Sequence, residues 1–77
     1  MQICLMLENP FDVLEKSINK RVIVSLVGRR EYRGTLLGFD KPHMNLVLRD
    51  VEEVSDQVER KLKLALIRGA AIEYISP

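Results

Sequence analysis

The stretch Gly34-Thr35-Leu36-Leu37-Gly38-Phe39-Asp40-Lys41-Pro42-His43-Met44-Asn45-Leu46-Val47-Leu48 consists of two apolar segments separated by a short polar one. Asp40-Lys41-Pro42 in its middle is typical of a turn, because aspartate hydrogen-bonds to nearby amides and proline fixes its own backbone angle. The apolar segments on either side therefore predict two strands joined by this turn. His43 and Asn45 lie between the turn and the second strand, so polar side chains stand at one end of the pair.

A second stretch, Leu66-Ile67-Arg68-Gly69, has the same arrangement near the C-terminus, with a polar side chain directly after an apolar strand. In this order and at a strand–loop–strand distance, the two stretches resemble the two motifs of the Sm and Sm-like (LSm) protein family. The resemblance covers residues 10–75. It implies a non-enzymatic small barrel that assembles into a ring, of seven copies in the family, around single-stranded, uridine-rich RNA. The absence of a tail after Pro77 favours the compact archaeal type.

The length of the chain, 77 residues, allows one domain. A chain of this size buries only about 60% of its unfolded surface, so its core is marginal and needs further stabilisation. Cys4 is the one cysteine of the chain, which excludes an internal disulfide and fits a reducing, cytoplasmic location. Oligomerisation is the remaining source of stability, and 47% hydrophobic residues supply apolar surface for it.

Residues 1–9 are predicted to form a loosely ordered N-terminal extension, followed by a single domain over residues 10–77. The extension lacks the basic start and cleavage site of a signal peptide, and Glu8 interrupts its apolar run. No stretch approaches the roughly 20 apolar residues that span a membrane, so we expect no membrane partner.

The net charge of +1 excludes a polycation that grips nucleic acid by charge alone, so any RNA contact must come from a localised site. One histidine and one cysteine, far apart, do not predict a metal site, and we expect no cofactor. No paired-carboxylate, Cys/His or Ser/His/Asp arrangement suggests catalysis, and Glu52-Glu53 is interpreted as a solvated strand end.

The predicted architecture is mostly β: an N-terminal helix followed by a strongly bent five-stranded antiparallel small barrel of SH3-like or OB-like topology. Asn9-Pro10 begins the helix, because asparagine caps it and proline suits its first position, and Asn19 ends it. Phe11, Leu14 and Ile18 recur at helical spacing and face the barrel. The strands are predicted over residues 21–27, 31–39, 46–51, 61–66 and 71–75.

Two further segments carry expectations about the sheet. Gly34 lies inside the second predicted strand, where a glycine marks a sharp bend or a close backbone approach. A sheet this small closes only by bending its long strands, and a glycine at position 34 would permit such a bend. The polar segment 55–61, with the charged run Glu59-Arg60-Lys61, is interpreted mostly as a solvated loop.

The resemblance implies roles for the polar side chains of the two motifs. His43 would stack on one face of a uracil, and Arg68 would stack on the other with its charge available to a phosphate. Asn45 would pair with the edge of the base, because its amide both donates and accepts. From the residues alone, simpler interpretations stay open: an exposed loop histidine, a turn asparagine and a strand-end salt bridge.

Asp40 and Gly69 are predicted to support this site. A carboxylate only accepts hydrogen bonds, so Asp40 is better suited to orienting Asn45 or a backbone amide than to contacting RNA. Gly69 follows Arg68 and is expected to let the backbone turn freely.

The sequence departs from the family pattern at two places. Lys41-Pro42 inserts one residue before His43, which would shift His43 or let Lys41 reach a phosphate. Ala70 replaces the aspartate or asparagine frequent in relatives, so a polar contact at that position is lost.

Two rival functions remain open from the sequence. A ring that scaffolds other proteins and barely touches RNA is favoured by the two departures, and other Sm-like paralogues or RNA-processing proteins could share such a ring. A barrel that reads proline-rich peptides is disfavoured, because its groove needs clustered aromatic side chains. This chain contains four, none of them tryptophan: Phe11, Tyr32, Phe39 and Tyr74.

Overall fold

The structure of the protein, a computed structural model, describes residues 9–56 and 59–77. It confirms the predicted fold class, since one helix precedes a single bent antiparallel sheet of five strands. The elements are α1 (Pro10–Lys16), β1 (Arg21–Leu26), β2 (Arg30–Phe39), β3 (Leu46–Val54), β4 (Glu59–Ile67) and β5 (Ile72–Ser76). A short 3-10 helix, Gly69–Ala71, joins β4 to β5. The predicted extension lies outside the described residues, apart from Asn9.

Helix α1 begins as predicted, because the side chain of Asn9 accepts a hydrogen bond of 2.9 Å from the backbone amide of Phe11. It ends at Lys16 rather than at the predicted Asn19. The backbone amide of Ser17 caps the last turn, and Asn19 adopts a left-handed conformation with φ of 69°. The chain therefore leaves the helix a turn early and starts its approach to β1.

The strands pair in the order β4-β3-β2-β1-β5, and each neighbouring pair is antiparallel. The β2–β3 ladder shifts register twice, between Arg33 and Thr35 and between Leu36 and Gly38. Such irregularities bend and twist paired strands, which lets a small sheet curve around its core. The buried core consists of Leu14, Val22, Val24, Tyr32, Leu36, Leu46, Leu48, Val51 and Ile67.

Gly34 lies at the first of these register shifts and is buried, as the sequence predicted for a bend or a close approach. A Cβ atom added there would stand 3.0 Å from the carbonyl oxygen of Arg49 and 3.1 Å from a methyl group of Val51. Both neighbours belong to β3, so Gly34 allows β2 and β3 to lie close together where the sheet bends.

The polar segment 55–61 was predicted mostly as a loop. Residues 55–56 lie outside any strand, but residues 59–61 belong to β4, so the prediction is wrong for the charged run. β3 continues to Val54 and β4 begins at Glu59, so the charged run belongs to a strand. The cause is a cross-strand charge pair: Glu53, only 6% exposed, accepts hydrogen bonds from the Tyr32 hydroxyl and from Arg60 at 2.6 Å. A buried carboxylate needs such partners, and Arg60 lies directly opposite Glu53 where β3 and β4 pair.

The Glu53 cluster shifts two pKa values in opposite directions. The hydrogen bond from Tyr32, together with Arg60, lowers the pKa of Glu53. Burial, together with Glu53, raises the pKa of Tyr32. Glu52-Glu53 is therefore not a solvated strand end as predicted, because one of its two carboxylates is buried.

The outer strands of the sheet, β4 and β5, each have a neighbour on one side only within the described part of the chain. Large apolar side chains are exposed on both: Leu64 by 63%, Leu66 by 71% and Tyr74 by 55%. Exposed edges with apolar side chains are templates for pairing with another chain. No helix in residues 9–56 and 59–77 is long and apolar enough to cross a membrane.

Candidate nucleic-acid interface

The two sequence motifs meet because β3 and β4 are antiparallel neighbours. The pairing of Leu46 with Ile67 places the start of β3 beside the end of β4. The loop that precedes β3, residues 40–45, therefore lies against the connection that follows β4, residues 68–71. Polar side chains that are more than 20 positions apart in the sequence are brought to one end of the sheet.

Two backbone hydrogen bonds close the base of the loop 40–45. Asp40 is the donor in one and the acceptor in the other. The amide of Asp40 donates to the carbonyl of Asn45 at 3.1 Å, and the amide of Met44 donates to the carbonyl of Asp40 at 2.9 Å. Met44 has a left-handed φ of 56°, an uncommon conformation for a residue with a side chain. This reversal turns the chain so that His43 and Asn45 line the same cleft.

The carboxylate of Asp40 holds the functional part of this loop. One oxygen accepts the backbone amide of His43 at 2.9 Å, and the other accepts the side-chain amide of Asn45 at 3.0 Å. The hydrogen bond from the His43 backbone lowers the pKa of Asp40, with a smaller contribution from Asn45. Asp40 therefore stays ionised at neutral pH and orients both a backbone amide and Asn45.

The side chain of Asn45 connects the two motifs. Its Nδ2 donates to Asp40 at 3.0 Å, and its Oδ1 accepts the backbone amide of Gly69 at 2.9 Å. These two partners assign which end of the amide is nitrogen and which is oxygen. One N–H and one oxygen lone pair remain available, because a primary amide has two donors and two acceptor sites.

Gly69 is required for a different reason from the one the sequence suggested. Its φ is not among the positive values, so it does not serve to turn the backbone freely. A Cβ atom at this position would overlap the carbonyl oxygen of His43 and stand 2.7 Å from that of Met44. Gly69 therefore permits the close approach of the two loops, on which its hydrogen bond to Asn45 depends.

The side chains surround an open cleft of about 570 Å³, lined by Pro42, His43, Met44, Asn45, Arg68, Gly69 and Ala70. His43 and Arg68 are both exposed on it. In the described part of the chain no carboxylate pairs with Arg68, so the alternative of a strand-end salt bridge is not supported. Three lining residues were not among the predicted site residues: Pro42, Met44 and Ala70. The left-handed backbone of Met44 has no signal in its residue type.

Lys41 does not line this cleft. Its Nζ lies 5.5 Å from the centroid of the Phe11 ring on α1. The predicted contact of Lys41 with a phosphate stays a prediction. Residues 9–56 and 59–77 also contain no group of three or more His, Cys, Asp or Glu side chains that could hold a metal ion.

Comparison with known proteins identifies the family. The model of the LSM domain matches residues 12–77 of the chain. The chain belongs to the LSM family. It is 51% identical over 69 residues to an snRNP Sm-like protein of Archaeoglobus fulgidus, an alignment that covers 88% of each chain.

Solved structures of LSM proteins resemble the fold closely. An Sm protein of Pyrococcus abyssi in complex with a uridine heptamer has a TM-score of 0.83 and 39% identity, with 91% of this chain and 99% of that chain covered. A heptameric archaeal Sm protein has a TM-score of 0.78 and 41% identity, with coverage of 86% and 96%. The bent sheet of this chain is therefore that of the archaeal Sm proteins.

Proposed function

We propose that this LSM-family protein binds single-stranded, uridine-rich RNA in the cleft between His43 and Arg68, without catalysing a reaction on it. The observation that carries the proposal is the amide of Asn45, fixed by Asp40 and Gly69 in a cleft that an exposed histidine and an exposed arginine also line. Binding of a uridine heptamer by the Pyrococcus abyssi protein supports it. RNA processing or assembly of ribonucleoproteins in the cytoplasm is the role we assign to such binding.

The chemistry of the cleft matches an unpaired uracil. The imidazole of His43 and the guanidinium plane of Arg68 are flat groups on which a base stacks, a contact of roughly 1–3 kcal/mol per base for an aromatic ring. Uracil presents an N–H beside carbonyl oxygens, which complement the free acceptor and donor of Asn45. Cytosine presents the opposite pattern on the same edge, so Asn45 accounts for a preference for uridine.

A ring of identical subunits would multiply this weak site. The outer strands β4 and β5, each paired on one side only in the described part of the chain, carry the exposed side chains Leu64, Leu66 and Tyr74. They supply a surface on which a second copy can pair. The heptameric archaeal relative supports a ring of seven copies. Several identical clefts facing one RNA raise its affinity well above that of one cleft.

The proposal is tested by replacing each cleft side chain and measuring binding of oligouridine and oligocytidine. We expect His43→Ala and Arg68→Ala to weaken oligouridine binding through lost stacking, and Arg68→Ala also to flatten its salt dependence. Asn45→Ala should mainly reduce the preference for uridine over cytidine. Arg29→Ala, which removes an exposed arginine at the opposite end of β2, is the matched control and should change little.

The same experiment separates RNA binding from the rival scaffold function. Light scattering first establishes that each variant has the same oligomeric state as the parent. If intact assemblies of all three cleft variants bind both oligomers as the parent does, the cleft is not the RNA site. If the parent itself binds neither, a scaffold for other proteins replaces the proposal.

A further inference from the structure

Three side chains, from α1, from β2 and from the loop 40–45, form a stack. The rings of Phe11 in α1 and Phe39 in β2 are parallel, with centroids 6.4 Å apart. The Nζ of Lys41 lies 5.5 Å from the centroid of the Phe11 ring. These distances suit an offset aromatic pair and a cation–π contact. We call this arrangement the Phe39–Phe11–Lys41 stack.

Through Lys41, the stack involves the segment Lys41-Pro42, which is one residue longer than in the family pattern. The base of the loop is closed by Asp40, whose carboxylate also holds the backbone amide of His43. Lys41 leaves this base on the side of α1, and Pro42, which restricts the backbone, links it to His43. The contact between Lys41 and Phe11 therefore fixes the beginning of the segment whose end presents the imidazole.

We propose that Phe11 is a positioning residue for the cleft, acting through Lys41 on the loop that carries His43. The inference rests on the proposed function, because its consequence is the affinity of the cleft for a base. With Lys41 on Phe11, the inserted residue extends the loop toward α1 and leaves His43 beside Asn45 and Arg68. The insertion is thus accommodated by the helix.

The expected effect follows from the strength of an exposed cation–π contact. Such a contact corresponds to about a two- to fivefold change in an equilibrium constant. Loss of the contact should weaken the binding of a ligand that occupies one cleft by about this factor. Lys41 could instead act through its charge on a phosphate, and the two mechanisms differ in their dependence on Phe11.

A double-mutant cycle distinguishes the two mechanisms. Phe11→Leu keeps an apolar side chain on α1 and removes the ring, and Lys41→Met keeps the stem and removes the charge. Affinity for uridine 5′-monophosphate is measured by NMR titration for the parent, both single variants and the double variant. If Phe11 acts through Lys41, each single variant weakens binding by about two- to fivefold, and the double variant is no weaker than either. If Lys41→Met weakens binding equally in both backgrounds, Lys41 acts on phosphate by itself and the proposal is wrong.

Two further variants exclude a merely structural effect. Phe11→Tyr retains an aromatic face and should restore parent affinity, which a general loosening of α1 would not explain. Lys20→Met, which removes an exposed lysine from the turn between α1 and β1, controls for the loss of one positive charge. If Lys20→Met weakens binding as much as Lys41→Met does, the contact of Lys41 with Phe11 does not contribute to the affinity.

The imidazole signals of His43 give a readout that needs no ligand. His43 is the one histidine of the chain, so its ring protons are assigned without ambiguity. Phe11→Leu and Lys41→Met should shift these signals in the free protein in the same direction, while Phe11→Tyr and Lys20→Met leave them near their parent positions. Unshifted signals in both variants overturn the proposal. If the parent does not bind uridine 5′-monophosphate, the proposed function fails, yet these signals still decide whether Phe11 positions the loop.

Discussion

Replacement of Gly69 by alanine tests the contact between the two motifs. The added methyl group would overlap the carbonyl oxygen of His43 and lie 2.7 Å from that of Met44. Both obstacles are backbone atoms in a loop held by Asp40, so neither can rotate away as a flexible side chain would. One of the two loops must move, and the hydrogen bond of 2.9 Å between the Gly69 amide and Asn45 breaks or lengthens.

The magnitude follows from these two losses. Backbone forced into an unfavourable arrangement costs about 1–3 kcal/mol, and a lost hydrogen bond costs about 0.5–1.5 kcal/mol. We therefore expect Gly69→Ala to reduce the free energy of unfolding by about 2–4 kcal/mol. For a domain of this size that corresponds to a fall in Tm of at least about 8 °C. Asn45 loses the partner of its Oδ1, so uridine binding should also weaken.

The assay is thermal unfolding followed by circular dichroism, at one protein concentration because an oligomer melts in a concentration-dependent way. Gly38→Ala is the matched control, since a Cβ atom at Gly38 meets no atom within 4 Å. Its Tm should stay close to that of the parent. If Gly69→Ala and Gly38→Ala melt at the same temperature and bind oligouridine equally, the close approach at Gly69 has no energetic consequence.

Three other perturbations probe the bend, the buried carboxylate and the loop base. Gly34→Val should lower stability by about 1–3 kcal/mol, because its Cβ would stand 3.0 Å from a β3 carbonyl; an unchanged Tm would mean that the strands can separate there freely. The lowered pKa of Glu53 stabilises the fold above the unfolded pKa of this group, and that stability is lost as the pH falls through the folded pKa. Tyr32→Phe removes the hydrogen bond that contributes most to the lowered pKa, so the acid-unfolding midpoint should move to higher pH. The midpoint is measured by circular dichroism. If it does not move, the Tyr32 hydrogen bond is not the source of the acid stability. In NMR titrations, Asp40→Ala should weaken binding of uridine 5′-monophosphate, while the control Asp12→Ala should not. If both variants bind with the affinity of the parent, the contacts of Asp40 with His43 and Asn45 do not orient the cleft.

Much of the fold was predictable because local patterns agree with the tertiary structure. The cap at Asn9 and the bend at Gly34 are consequences of residue type, and both appear where the sequence placed them. The start of β4 was not predictable in the same way. Glu59, Arg60 and Lys61 have the composition of a loop, and the partner of Arg60, Glu53, lies on another strand and is buried there.

The candidate site shows the same division between residue chemistry and tertiary geometry. The side chains of His43, Asn45 and Arg68 were chosen from the resemblance and lie around one cleft. The reason for Gly69 was missed, because a close approach between two loops is set by the pairing of β3 with β4 and not by the adjacent residues. The direction of Lys41 likewise depends on Phe11, which lies 30 positions earlier in the sequence.

Native mass spectrometry can show whether a ring of these chains binds uridine-rich RNA through identical clefts. Spectra would be recorded for the protein alone, with oligouridine and with oligocytidine of the same length. We predict one assembly of seven copies that retains a single oligouridine and retains oligocytidine to a much smaller extent. A folded 8.9 kDa monomer would show that the chain forms no ring. A ring that retains neither oligomer, or both equally, would show that its clefts do not select uridine.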